Sequence, residues 1–457
     1  MKKIISTVAA LGLVAGFAAT ASAMDFSMTG KYVLEGYMLN NADGLGFNPY
    51  SDEAGTDSAW VQTFLVKPTL KVNDKITMFS EIRFAKDSDW GDDAADGGPG
   101  MGDHRGVDIY HIYMEYMSPV GKLRMGRTPA GSWGSDFMST STTANRFMWW
   151  PSFVAEPFSL CLFTQKTVEN DWDNNNDDND SDMYEIDLTY KVDNMNLRAA
   201  YDFINDKTQS DVETALGSLY DRQHNRLKLN ADMQFGPVSV LSEYGWQFGD
   251  FRDYDTEVAG LEEDRDVDAM AFMLDVSTKM DKLDIGLLYF WAEGQDELDD
   301  ADDDMTAAMN GALDNGIGDD FNPYYILTGD HTGMLNSDEY DADPFMVQGG
   351  VHAIGIHTDF AVSDQLSLHG AVAYALVDEE SGVEQMLLQQ GLGAVSVDDE
   401  YGWEIDLGAK YKLLDNLTYE LRGAYFNTGD FFEDIAEAAG QDADDLYLVS
   451  HHLTMTF

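Results

Sequence analysis

The chain has 457 residues, with 83 acidic against 27 basic side chains and a formal net charge of −56 at neutral pH. Such acidity excludes nucleic acid as a partner, because phosphates require basic surfaces. Yet 44% of the residues are apolar and 12% aromatic, too many for a disordered acidic chain. The single cysteine, Cys161, excludes an internal disulfide framework and a cysteine-based zinc cluster.

From the start of the chain, Met1-Lys2-Lys3, an apolar run from Ile4 to Phe17 and the small residues Ala21-Ser22-Ala23 have the layout of a secretory signal peptide. Residues 1–23 are set aside as an export signal, and residues 24–457 carry the fold. No later window is long and apolar enough for a membrane-spanning helix. Instead, segments of about ten residues alternate apolar with polar, which is the signature of a transmembrane β-barrel. In Met183–Val192, Tyr184, Ile186, Leu188 and Tyr190 form one face; Glu185, Asp187, Thr189 and Lys191 form the other. Leu227, Leu229, Ala231 and Met233 alternate with Arg226, Lys228, Asn230 and Asp232. Trp403, Ile405 and Leu407 alternate with Glu404, Asp406 and Gly408. A barrel hides apolar residues by alternation, so it reconciles acidity with high apolar content.

Short turns alternate with long acidic connections. The turns read Asn73-Asp74-Lys75, Ser118–Gly121, Asp193-Asn194-Met195, Gly236-Pro237, Asp281-Lys282, Ser363-Asp364-Gln365 and Leu414-Asp415-Asn416, residues that favour tight reversals. Short helices are expected in two loops, at Val383–Gln390 and Glu433–Ala439. Seventeen strand-like segments result, from 25–39 to 445–457. Bacterial single-chain barrels have even strand numbers. Segment 158–167 has no short turn beside it, so 129–182 is expected to be one large third outer loop. The expected fold is all-β: an antiparallel transmembrane barrel of sixteen strands around an aqueous lumen, with both termini on the periplasmic side.

The last residues, Tyr447, Val449, Leu453, Met455 and Phe457, share one strand face. A terminal aromatic on an alternating strand resembles the sorting signature of bacterial outer-membrane barrels, which implies the cell outer membrane and contact with its lipid. The segment from Gly121 through Lys122, Arg124, Gly126 and Arg127 to Thr128-Pro129-Ala130-Gly131-Ser132-Trp133-Gly134-Ser135-Asp136-Phe137 resembles the fifth strand and third loop of the general porins. That resemblance implies a homotrimer, passive flux of small hydrophilic solutes, and a third loop (129–182) folded into the lumen as a constriction. In such porins basic wall residues face acids on that loop. The polar faces here offer Glu81, Arg83, Lys122, Arg124, Arg198, Arg226, Lys228 and Arg422 as pore-lining residues. Arg127, at a strand end after Gly126, is included with either face open to it.

The acidic loops leave three readings open. Seven acids lie between Glu169 and Asp182, and seven more between Asp296 and Asp304. They can be solvated charge. They can bind Ca2+, because Asp171, Asp173, Asn175, Asp177 and Asp182 have part of the spacing of a calcium loop, although Asn176 replaces its glycine. They can also concentrate cations at the mouth and make the pore cation-selective. No cofactor is expected otherwise. The rival functions are a substrate-specific channel and a structural or adhesive envelope barrel. No nucleophile–histidine–acid signature supports an enzyme.

Overall fold

The computed structural model describes residues 24–43, 46–50, 55–89, 107–129, 133–138, 143–169, 180–208, 219–254, 264–296, 304–307, 317, 321–329, 334–335 and 343–457. Alternating polarity becomes strand because the two faces of a barrel wall meet different solvents. The neighbours Asp406 and Leu407 show the consequence: one is 1% exposed and the other 67%.

The elements are β1 (Asp25–Asp43), a two-residue β2 (Gly46–Phe47), β3 (Gly55–Lys71), β4 (Ile76–Asp89), β5 (Asp108–Ser118), β6 (Gly121–Pro129), β7 (Thr143–Pro151), β8 (Phe158–Val168), β9 (Ser181–Val192) and β10 (Met195–Asp206). They continue as β11 (Tyr220–Phe235), β12 (Val238–Tyr254), β13 (Arg265–Met280), β14 (Leu283–Ala292), β15 (Val351–Ala361), β16 (Leu366–Leu376), β17 (Glu400–Leu414), β18 (Leu417–Thr428) and β19 (Leu446–Thr456). Helices α1 (Pro344–Gly349), α2 (Ser381–Gln389) and α3 (Asp430–Ala438) lie in the connections, the last two where short helices were expected. Every wall strand is antiparallel to the next. The wall closes because β1 pairs with β3 on one side and with β19 on the other, from Lys31↔Thr456 to Leu39↔Leu448. Beside that seam, the Gly30 and Phe457 backbones exchange two hydrogen bonds, of 2.7 and 3.1 Å. A side chain at Gly30 would collide with the Phe457 ring.

The wall has eighteen strands, not sixteen, since β2 only doubles back on β1. The expectation that failed is the single loop over 129–182. Segment 158–167 is a wall strand, and it has a partner in β7, with registers Met148↔Phe163 and Trp149↔Leu162. The physical reason is the turn joining them, Pro151-Ser152-Phe153-Val154-Ala155-Glu156-Pro157. It carries the turn formers Pro151, Ser152 and Pro157, but spread over seven residues around Phe153, Val154 and Ala155, so it does not read as one of the tight reversals found elsewhere. Only 130–142 remains as the connection from β6 to β7. The seven turns read from sequence all join wall strands. Asn73 shows the mechanism: its Oδ1 accepts from the N–H groups of Lys75 (2.9 Å) and Ile76 (3.0 Å). The even strand count puts Asp25 and Phe457, where the wall begins and ends, at the short-turn end.

The interior is two-sided. On β13–β17 many inward positions are small or apolar, including Ala269, Ala271, Phe290, Ala353, Ala371, Ala373 and Tyr401, all buried. They seat Ile317, Phe321, Tyr324, Ile326, Leu327 and Leu335 from the connection between β14 and β15. An apolar inner wall facing an empty aqueous lumen would be unfavourable, and this segment covers it. Carboxylates fasten it: Glu404 Oε1 and Oε2 accept from the N–H groups of Ile326 (2.7 Å) and Leu327 (2.8 Å), and Asp406 accepts from Tyr325 (3.3 Å).

Candidate functional site: the charged half of the lumen

From β3 to β12 the inward face is charged. Register brings the partners together: Asp202 lies opposite Glu185 and Arg226, and Glu115 opposite Arg124, while the Arg198–Asp187 and Lys228–Asp202 pairs reach diagonally across neighbouring strands. Glu81 on β4 is buried between Lys67 (2.9 Å) and Arg83 (2.7 Å), and the Arg83 guanidinium lies 3.2 Å from the Tyr110 ring centre. Arg124 on β6 holds Glu115 of β5 at 2.7 Å, while Lys122 lies 3.8 Å from the Trp150 ring centre. Arg198 on β10 pairs with Asp187 of β9 at 3.0 Å. At the centre, Asp202 of β10 accepts from both Arg226 (3.0 Å) and Lys228 (3.1 Å) of β11, and Lys228 also reaches Glu185 at 3.4 Å. These four side chains are buried. Such burial is tolerable because each charge has an opposite partner, and removing one would strand the other.

The pore-lining candidates therefore fall into groups. Glu81 and Arg83, Lys122 and Arg124, and Arg198 with Arg226 and Lys228 lie along one arc of the wall. Arg422 stands apart on β18, paired with Glu420 (2.8 Å) and 5.1 Å from the Tyr325 ring centre. Arg127 pairs in register with Ile112, on the outer face shared by Met125, and its Nε donates to the Tyr110 carbonyl at 2.8 Å. Sequence reading missed Asp202, Arg146, Glu243 and the Glu404–Asp406 pair. The inward parity of Glu243 was available, from its place between the outward Ser242 and Tyr244. Nothing in the sequence says what it meets.

What it meets is the segment Trp133–Met138, which follows β6. Glu243 Oε1 accepts from the Ser135 N–H. Arg198 and Lys228 lie 5.1 and 5.5 Å from the Trp133 ring centre. Phe137 packs edge-on to Phe321 (5.0 Å) and against Phe290 (6.0 Å). The segment thus touches the charged wall at one end and the apolar filling at the other. Gly134 permits the approach: its φ is +68°, and a side chain there would overlap Glu243.

At the long-loop rim, Glu293 Oε2 accepts from the Met270 N–H at 2.7 Å. Burial, with the charges of Asp378 and Asp268, outweighs that bond and pushes the Glu293 carboxyl up to about 7. Asp171, Asp173, Asn175 and Asp177 lie outside the described residues. Asp182 lies at the start of β9, with the Lys166 ammonium 3.2 Å away. Among the described residues no three or more His, Cys, Asp or Glu side chains are grouped to hold a metal.

No family profile matches the sequence, and no curated protein matches it. Solved structures do share its shape. The outer membrane protein OpdK of Pseudomonas aeruginosa is 10% identical, with a TM-score of 0.52 over 94% of this chain and 99% of that one. OccK9 (OpdG) of the same organism is 12% identical, with a TM-score of 0.52 over 95% and 98%. OccK8 (OprE) is 11% identical, with a TM-score of 0.51 over 94% and 98%. The closed wall, the apolar outer face and this likeness together place the chain in the outer membrane, as a β-barrel.

Proposed function

We propose that the protein is a porin, a narrow channel for passive passage of small hydrophilic solutes and ions. The observation that carries this reading is the charged arc of inner wall opposite Trp133–Met138. Asp202, Arg226, Lys228 and Glu185 are buried and hold the wall together, whereas Lys122, Arg124, Glu115 and Arg198 keep part of their side chains open to the lumen, where charge keeps a path wet and orients polar solutes. The Trp133–Met138 segment is the constriction in this reading, in place of the longer 129–182 loop. Acidic residues crowd the long connections, so the mouths concentrate cations and the channel favours them. Assembly as a homotrimer, implied by the resemblance to general porins, goes with this proposal.

A second reading, a substrate-specific channel, is favoured by one observation: the connection between β14 and β15 fills the β13–β17 side of the lumen. That leaves a narrower path than an eighteen-stranded wall would otherwise enclose. Single-channel recording in a planar bilayer under a potassium chloride gradient tests both. Large steps in groups of three, reversing on the potassium side, are expected for the general porin. Small steps that a particular solute blocks would move the reading to a specific channel. A silent membrane with correctly folded protein would overturn both.

A further inference from the structure

Beneath the Trp133–Met138 segment, toward the short-turn end, lies a cavity of about 280 Å³. Its floor is one row of cross-strand neighbours: Asn196 of β10, Asp232 of β11, Leu241 of β12 and Asp275 of β13, in continuous register. Gly134 roofs it, and Ser239 and Ser277 border the side nearer the turns. Asp232 and Asp275 are two strand spacings apart, roughly 10 Å between backbones, with the apolar Leu241 between them. The one base lining the cavity, Arg198, is matched by Asp187 at 3.0 Å. Asp275 has the imidazole of His357 at 3.2 Å. The cavity lining therefore has surplus negative charge, amide and hydroxyl groups around it, and an apolar strip in the middle.

Resting on the channel reading above, we infer that this cavity is a binding subsite for a compact, hydroxylated organic cation. A ring of sugar size spans about 5 Å. Asp232 and Asp275 flank Leu241, one strand to either side, so a ring resting on Leu241 has a carboxylate on each side of it. Its ammonium meets one carboxylate, its hydroxyls meet the other carboxylate and the Asn196 and Asn230 amides, and its carbon face lies on Leu241. An anion of the same size would face two carboxylates with no unmatched base, which is repulsive.

Three probes of one shape separate charge from size: D-glucosamine, D-glucose and D-glucuronate, each added at about pH 6, where the amine is protonated and the acid ionised. The expected result is block of single-channel current by glucosamine, at concentrations roughly tenfold below those for glucose, and none by glucuronate. In Asp232→Asn and Asp275→Asn, each tested alone, the preference for glucosamine over glucose disappears while glucose block persists. Each exchange is isosteric, and retention of the folded, heat-modifiable band on gels shows that the barrel has formed. Equal block by all three sugars, a preference for glucuronate, or variants indistinguishable from the parent would overturn the subsite. If the parent protein passes no current, the channel reading falls. Calorimetric titration of the detergent-solubilised full chain with the same sugars then decides the subsite by itself, by the same order of affinity.

Discussion

Two side chains do in the lumen what turns and caps do elsewhere: they satisfy backbone N–H groups that no strand partner reaches. Glu243 accepts from Ser135, and Glu404 accepts from Ile326 and Leu327 at once. Both are buried on the inner wall. A carboxylate has acceptor capacity on both oxygens, so Glu404 bonds two successive N–H groups, an arrangement an amide cannot copy. In Glu404→Gln one oxygen is exchanged for an NH2 that points at an N–H. We expect the 321–329 segment to loosen, at a cost of about 1–3 kcal/mol. The readout is a rise in mean conductance and in open-channel noise. An unchanged trace would mean that packing of Tyr324, Ile326 and Leu327 holds the segment without the carboxylate. Gly134→Ala acts in the opposite sense. The added methyl lies between the segment and Glu243, at a positive φ that disfavours any side chain. The segment is pushed off the wall into the lumen, and conductance falls, with about 1–3 kcal/mol of stability lost in urea unfolding.

At the scale of elements, what could be read depended on whether the two faces of a strand differ. In β9, Tyr184, Ile186 and Leu188 point outward while Glu185 and Asp187 point in, and the alternation alone showed it. In β15 the inward Val351 and Ala353 are as apolar as the outward Ile354 and Ile356, so sequence could not say that a segment covers the inner face. In β7 the adjacent Trp149 and Trp150 blur the period. Its turn to β8 spreads Pro151, Ser152 and Pro157 over seven residues around an apolar centre, so no tight reversal marks the strand pair. The Trp133–Met138 segment was legible only as a likeness, because its contacts with Glu243 and Phe290 join residues more than a hundred positions apart. The rim where β13 meets β14 carries a pH dependence of its own. Glu293 has its carboxyl raised to about 7, burial being the main cause. A free glutamate sits near 4.3. A raised acid binds its proton more tightly when folded, so its contribution is complete below the free value and declines as pH rises to about 7. Exchange of the Met270 amide, the hydrogen-bonded partner, is therefore expected to quicken beyond its intrinsic pH dependence between about pH 4.3 and 7 and to level off above. In Glu293→Gln that extra rise should vanish.

For the whole molecule, the distribution of charge separates two origins of ion selectivity. Along the charged arc and on β18, acids have bases beside them: Asp202 with Arg226 and Lys228, Asp187 with Arg198, Glu115 with Arg124, Glu420 with Arg422; Glu243, Glu404 and Asp406 bond backbone N–H groups instead. The chain as a whole has 83 acids against 27 bases, and runs such as Asp296–Asp304 lie in the long connections. Paired charges on the wall produce a local transverse field but little net preference for one sign, whereas the excess of acids over bases in the chain as a whole acts at a distance through solvent. Distance makes them vulnerable to salt, because the screening length is about 10 Å at 0.1 M and about 3 Å at 1 M. Cation preference is therefore expected to be strong in dilute potassium chloride and to decline steeply by about 1 M. Reversal potentials at a fixed concentration ratio, taken at several mean concentrations, read this directly. A preference that survives concentrated salt would have to arise where ions touch the protein. Asp232, which lies in the cavity lining without a base at salt-bridge distance among the described residues, is then the place to look, since Asp275 already has His357 at 3.2 Å; Asp232→Asn would remove the preference, whereas neutralising the acids of 296–304 would leave it intact.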